Sequence, residues 1–146
     1  MRISTRSRYG IRLMIILAVN YNKGYTFLKD IAKEEEISEK YLSQIVILLR
    51  RAGLLIASRG IHGGYTLAIP PSEVTAKEIV EVLEGDLALL DCTRDETICT
   101  RSNNCASQYL WAALSLKISE FLSSITLKDL VKMKSEKELR LIDYSI

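Results

Sequence analysis

The sequence predicts a mainly α-helical chain that carries one small β-hairpin. Three features lead there. Apolar residues recur at helical spacing through most of the 146 residues, the strand-like runs flank the glycine-rich segment Arg-Gly-Ile-His-Gly-Gly at 59–64, and both prolines, Pro70 and Pro71, stand together where the second run ends. With 48% hydrophobic and 26% charged residues, the composition is that of an ordinary globular domain with one modest core.

Residues 7–21 set Ile11, Met14, Ile15, Ala18 and Val19 at helical spacing, with Arg8 and Arg12 on another side. A polar turn containing Gly24 follows, then a short helix over 27–36 with Leu28, Ile31 and Ala32 inward. Ser38 is a suitable N-cap and Glu39 beside it suits the positive end of the helix dipole, so a helix is expected from there to Ala52. On its wheel Leu42, Ile45, Val46 and Leu49 share one side, whereas Lys40, Gln44, Ile47 and Arg51 lie opposite and Ser43 sits on the flank. Gly53 ends this helix, and residues 54–57 and 65–69 read as two strands joined by the glycine turn. Proline cannot donate to a strand ladder, which closes the second strand at Pro70. Thr75 with Glu78 forms a capping box and Val74 with Ile79 a hydrophobic staple, predicting a helix over 76–84 that Gly85 stops.

Residues 86–104 show no periodicity, and a connection of that length inside a small domain needs some device to order it. Cys92, Cys99 and Cys105 are the candidates. Beyond them Leu110, Leu114, Ile118, Phe121 and Ile125 follow at spacings of four, four, three and four. This is a long amphipathic helix whose stripe finds no remaining partner helix of similar length in the chain, so a second copy is expected to cover it, giving a homodimer. Thr126 with Asp129 caps a short helix through about Met133, and the charged residues 134–146 form a tail without pattern.

The longest apolar stretch, 11–19, is interrupted by Arg12 and is far shorter than the roughly 20 residues a bilayer requires. No membrane segment is expected, and the start lacks a cleavage pattern, so the expected location is the cytoplasm. Charge is divided unevenly: residues 1–65 carry eleven Lys/Arg and five Asp/Glu, residues 66–146 nine and thirteen. The basic half is a candidate surface for a polyanion.

Helix, tight turn, helix and glycine-rich hairpin follow the winged helix-turn-helix plan, in which the second helix enters the major groove of double-stranded DNA. The outer face of the helix over 38–52 suits that task. Gln44 can contact adenine through two hydrogen bonds, Lys40 and Arg51 can reach guanine or phosphate, Ser43 can donate or accept, and Ile47 can meet a thymine methyl. Arg59, beside the wing glycines, can enter a narrow A·T-rich minor groove. The only histidine, His62, lies in that turn about thirty residues before the first cysteine, no cysteine belongs to a CxxC pair, and no base stands near a nucleophile. An enzyme is therefore not expected.

An odd number of cysteines without a signal peptide argues against a disulfide framework. Thiolate ligation is one reading of Cys-x6-Cys-x5-Cys, and small buried thiols are the other.

Several runs carry a resemblance that spans nearly the whole chain. The start Met1-Arg2-Ile3-Ser4-Thr5 with Arg8-Tyr9-Gly10, the stretch Ile37-Ser38-Glu39-Lys40-Tyr41-Leu42-Ser43-Gln44, the turn Leu49-Arg50-Arg51-Ala52-Gly53-Leu54, the wing Arg59-Gly60-Ile61-His62-Gly63-Gly64-Tyr65 and Ile125-Thr126-Leu127-Lys128-Asp129-Leu130 resemble the IscR/CymR/NsrR family of bacterial regulators. The resemblance implies a dimeric operator-binding repressor in which Ser38, Lys40, Tyr41, Ser43 and Gln44 face the major groove. It likewise implies that Arg59 and Gly60 face the minor groove, and that Arg2, Ser4, Thr5 and Arg6 face phosphates. It further implies one iron–sulfur cluster per subunit on Cys92, Cys99 and Cys105, with 2Fe–2S and 4Fe–4S both open, and hence a regulator of iron–sulfur or redox status. The sequence departs from the cluster-binding members: the first cysteine spacing is one residue longer, Gln108 stands where histidine is common, and Arg8 stands where some members have a carboxylate. Asp91, Asp95, Glu96 and Gln108 are the local candidates for a fourth ligand. The alternative is a cluster-free repressor governed by zinc, thiol oxidation or a partner protein of cysteine metabolism. The expected division is a DNA-binding region over 1–85, a sensor loop over 86–105, the dimerisation and short helices over 106–133, and the tail over 134–146.

Overall fold

The computed structural model describes residues 2–145. Seven helices and one two-stranded sheet are formed: α1 (Thr5–Val19), α2 (Leu28–Glu35), α3 (Glu39–Arg51), β1 (Leu55–Ser58), β2 (Gly64–Leu67), α4 (Ala76–Glu84), the short α5 (Asp91–Arg94), α6 (Ala106–Ser124) and α7 (Leu127–Tyr144). The mainly α fold with a β-hairpin wing is thus the one the sequence predicts.

Helices α1, α3 and α4 begin at caps that their sequences supply, whereas α2 starts after Phe27 without a side-chain cap. Ser4 accepts from the Ser7 N–H at the start of α1, Ser38 from the Tyr41 N–H at the start of α3, and Thr75 and Glu78 exchange both bonds of a capping box at α4. Ile31, Leu42, Ile45, Val46, Leu49, Val74 and Ile79 are buried in one core around α1, whose own contribution is Leu13, Met14, Ile16 and Leu17. The expected inward face of α1 is therefore rotated. Met14 and Ala18 are buried as expected, Ile11 and Ile15 are half-buried, and Val19 is exposed. The run from Leu13 to Val19 is apolar on every side, so its wheel leaves the facing direction to the partners that α1 meets. Gly10 allows α4 to approach very closely: a Cβ there would stand 2.2 Å from Leu83 Cδ1.

The wing is an antiparallel pair with Leu55 opposite Leu67 and Ser58 opposite Gly64. It is anchored near its turn end by Thr26, whose N–H donates to the Tyr65 carbonyl while the Tyr65 N–H donates back, both at 2.9 Å. Gly64 makes this possible, because a Cβ there would lie 2.3 Å from the Thr26 carbonyl oxygen.

The C-terminal third departs most from expectation. The short helix expected to stop near Met133 runs to Tyr144, so residues 134–144 are helical and the patternless tail is not observed. Its start belongs to the main core: Leu127 is fully buried, Leu130 and Val131 pack beside it, and α7 lies against α1. A short backbone bridge joins the starts of α4 and α7, the Ala76 N–H donating to Ile125 O and the Leu127 N–H to Val74 O, each at 2.8 Å. A boundary after residue 85 is thus crossed by α7. Although α7 is similar in length to α6, it turns away to α1, while α6 packs on α4 and α5 and leaves no residue fully buried.

Residues 86–104, which show no periodicity in the sequence, hold α5 and two single 3-10 turns, 96–98 and 102–104. Short polar side chains make these turns. Asp86 accepts from the Ala88 N–H, the Leu90 carbonyl accepts from the Thr93 hydroxyl, Asp95 accepts from the Thr97 N–H and hydroxyl, and the Cys99 carbonyl accepts from Ser102.

Candidate nucleic-acid interface and cysteine loop

The outer face of α3 emerges as the wheel requires: Lys40, Gln44, Ile47 and Arg51 are exposed, opposite the buried Leu42, Ile45, Val46 and Leu49. Between this helix, the start of α2 and the wing lies a groove of about 370 Å³ lined in part by Lys29, Arg50, Ser58 and Arg59. Three cations from α2, α3 and the wing against one carboxylate, Glu39, give the groove a net positive lining that suits a phosphate backbone. Lys29 and Arg50 were not singled out from the sequence, because only the folded wing brings them beside Arg59. Arg59 and Gly60 are exposed at the wing tip, and Gly60 adopts φ +102°, a left-handed conformation that glycine tolerates best. His62 is exposed there too.

Other residues expected at DNA are already engaged within the chain. Ser38 is occupied as the cap of α3, and the Ser43 hydroxyl donates to the Lys40 carbonyl at 2.7 Å, leaving its oxygen as an acceptor. Tyr41 is half-buried; its hydroxyl and that of Thr5 are 3.0 Å apart, and its ring meets Tyr9 edge-on at 5.8 Å. These contacts tie the first turn of α1 to α3. Ser4 donates through its N–H and hydroxyl to Glu84, and Arg6 donates from Nη1 to the Leu83 carbonyl at 3.3 Å. The Ser4 hydroxyl, the first cause, holds the Glu84 carboxyl below its ordinary range. Arg2 and Thr5 are exposed beside them.

The three thiols are unpaired and half-buried. Cys105 caps α6, its Sγ accepting from the Gln108 N–H at 3.4 Å, and the Gln108 side chain donates to the Cys92 carbonyl at 3.3 Å. Among the described residues no three His, Cys, Asp or Glu side chains gather so as to hold a metal ion. The local carboxylates face elsewhere. Arg94 pairs with Asp86 and, at 3.6 Å, with Asp91, while hydrogen bonds from Thr97 hold the Asp95 carboxyl below its ordinary range. Arg8 is exposed, its guanidinium over the Tyr9 ring. Cys92, Cys99 and Cys105 would be the ligands of the cluster that the resemblance implied, and this arrangement does not gather them.

On α6 the expected stripe is divided. Leu110 and Phe121 are 56% and 65% exposed, whereas Leu114, Ile118 and Ile125 are half-buried within the protomer. Tyr109 and Leu116 widen the open apolar surface beyond the stripe. No helix among the described residues is long and apolar enough to cross a membrane.

Comparison with known proteins gives a consistent result. The family model Rrf2, described as an iron-dependent transcriptional regulator, matches residues 3–133. The HTH-type transcriptional regulator CymR of Bacillus subtilis is 42% identical over 130 residues, which are 89% of this chain and 89% of that protein. Among solved structures, CymR, the global cysteine regulator of B. subtilis, superposes with a TM-score of 0.77 at 38% identity, covering 91% of this chain and 98% of that one. IscR of T. potens superposes equally well, with a TM-score of 0.77 at 34% identity over 94% of this chain and 90% of its own. The chain therefore belongs to the Rrf2 family of helix-turn-helix transcriptional regulators.

Proposed function

We propose that this regulator is a homodimer that reads its operator with Lys40 and Gln44 on α3, reaches the minor groove with Arg59, and receives its signal through free thiols in residues 86–105. The observation that carries the DNA reading is that Arg50 lines both the groove of Lys29 and Arg59 and the adjoining depression bordered by Ile47 and Arg51 of the exposed α3 face. One element can then specify bases while its neighbours hold phosphates. Two-fold symmetry requires a roughly palindromic operator. The free-thiol reading rests on the dispersed cysteines and on carboxylates already bonded to Arg94 and Thr97. The loop is well placed to act on the DNA-reading elements, since it joins α4 to α6 and the Leu89 N–H donates to Ser115 on α6.

A second reading keeps the operator and makes Cys92, Cys99 and Cys105 ligands of an iron–sulfur cluster. It is favoured by the confinement of all three unpaired thiols to this one loop. An anaerobic preparation separates the two. The free-thiol reading expects a colourless protein without iron or sulfide whose operator affinity changes when the thiols are oxidised or alkylated. A visible chromophore with stoichiometric iron and sulfide would overturn it and establish the cluster.

A further inference from the structure

A carboxylate stands where a DNA-binding surface would ordinarily avoid one. Glu84 is exposed at the last residue of α4, beside the basic start of the chain, where a negative charge opposes a polyanion. Its hydrogen bonds give it another task. One oxygen accepts both the N–H and the hydroxyl of Ser4, and the same Ser4 hydroxyl accepts the Ser7 N–H that caps α1. Next to it the Leu83 carbonyl accepts from Arg6. The end of α4 thus holds the residue before α1 and the second residue within it, and the residue between them, Thr5, meets Tyr41 on α3. Gly10 lets α4 lie close enough for these bonds to form. Gly85, at φ +95°, follows directly and leads into residues 86–105.

We infer that Glu84 is a positioning residue for DNA binding, fixing the first turn of α1 through Ser4 so that Arg2, Thr5 and Arg6 meet the phosphates together. It touches no DNA itself. The inference rests on the reading that the start of the chain contacts phosphates.

Electrostatics and positioning predict opposite signs, which makes the test decisive. Binding of the full-length regulator to operator and to random DNA is measured against salt for Glu84→Ala, Glu84→Gln, Glu84→Asp and Arg2→Ala, alongside thermal melts. Positioning expects Glu84→Ala to bind both DNAs about tenfold more weakly despite losing a negative charge, with a flatter salt slope. Glu84→Gln keeps an oxygen that accepts from Ser4 and should match or exceed the parent. Should the alanine variant melt too low to assay, Glu84→Asp keeps the charge with a shorter reach and should still bind more weakly. Parent-like or tighter binding by Glu84→Ala, or parent-like binding by Glu84→Asp in its place, overturns the inference. Unchanged binding by Arg2→Ala would instead remove the phosphate reading on which it rests.

Discussion

Replacing Phe121 by glutamate should separate the two subunits, and the structure sets the size of the effect. The accessible surface of the described chain is 10022 Å². A compact monomer of this mass exposes about 7,500 Å², so roughly 2,500 Å² is in excess, comparable with what obligate homodimers bury. Exposed apolar side chains lie on α6, among them Leu110, Leu116 and Phe121, and on the second half of α7. Phe121 is 65% exposed, and a phenylalanine side chain buries roughly 150–250 Å², so about 100–160 Å² remains to be covered by a partner. At about 25 cal/mol per Å² this is about 2.5–4 kcal/mol per subunit. Symmetry counts it twice, and even if a mixed environment realises only half, the dimer dissociation constant rises at least about 60-fold before charge repulsion is added. Sedimentation equilibrium at micromolar concentration measures the change. Phe121 is the better probe than Ile118, because Ile118 is half-buried and its replacement would also disturb the protomer. A Phe121→Glu protein that melts like the parent and keeps the parent's dimeric mass would show that α6 is not the interface.

Three further outcomes follow, two from side chains proposed to meet DNA and one from a helix cap. Gln44→Ala should cost about 1–3 kcal/mol on the operator and relax preference at one base pair, while Arg59→Ala should weaken binding mainly where the site has an A·T-rich narrow groove; equal losses on operator and random DNA in a fluorescence-anisotropy titration would remove Gln44 from base reading. Hydrogen bonds from the Thr126 N–H and hydroxyl hold the Asp129 carboxyl below its ordinary 3.8, so the cap of α7 contributes in full above that value and is lost as pH falls through the lowered one; melts between pH 5 and 2 should therefore show less acid sensitivity in Asp129→Asn than in the parent.

Much of the first half was legible because local chemistry and tertiary packing agree there. The box of Thr75 and Glu78, the cap at Ser38, the packed face of α3 and the glycine turn of the wing each follow from residue type and spacing. The extension of α7 did not show as periodicity because Leu139, Leu141 and Ile142 are exposed. Its helix rests instead on good helix formers and on ion pairs of Lys134 with Glu138 and with Glu34 on α2. The turns of residues 86–105 were hidden for another reason. They are made by Asp86, Thr93, Asp95 and Ser102 bonding to nearby groups, a pattern of spacing and not of hydrophobicity.

The residues expected at DNA divide by whether their polar groups are free to turn outward. Lys40, Gln44, Arg51 and Arg59 are exposed, whereas Ser38, Tyr41, Ser43 and Ser4 already bond within the chain; Arg6 is exposed and uses a single Nη1 donor on the Leu83 carbonyl, keeping its other donors free. A second division comes from helix geometry. Eleven residues separate Lys40 from Arg51, and at 1.5 Å per residue that is about 16 Å along the axis. A recognition helix leads with its N-terminal turns, so Lys40 and Gln44 can share neighbouring base pairs while Arg51 stands too far back to read them. Arg51 borders a depression with Arg50, Leu55 and Ile56, on the side of α3 that faces the base of the wing. In the proposed docking Arg51 is therefore assigned to phosphate beside Arg50, and base specificity is assigned to the first two turns of α3.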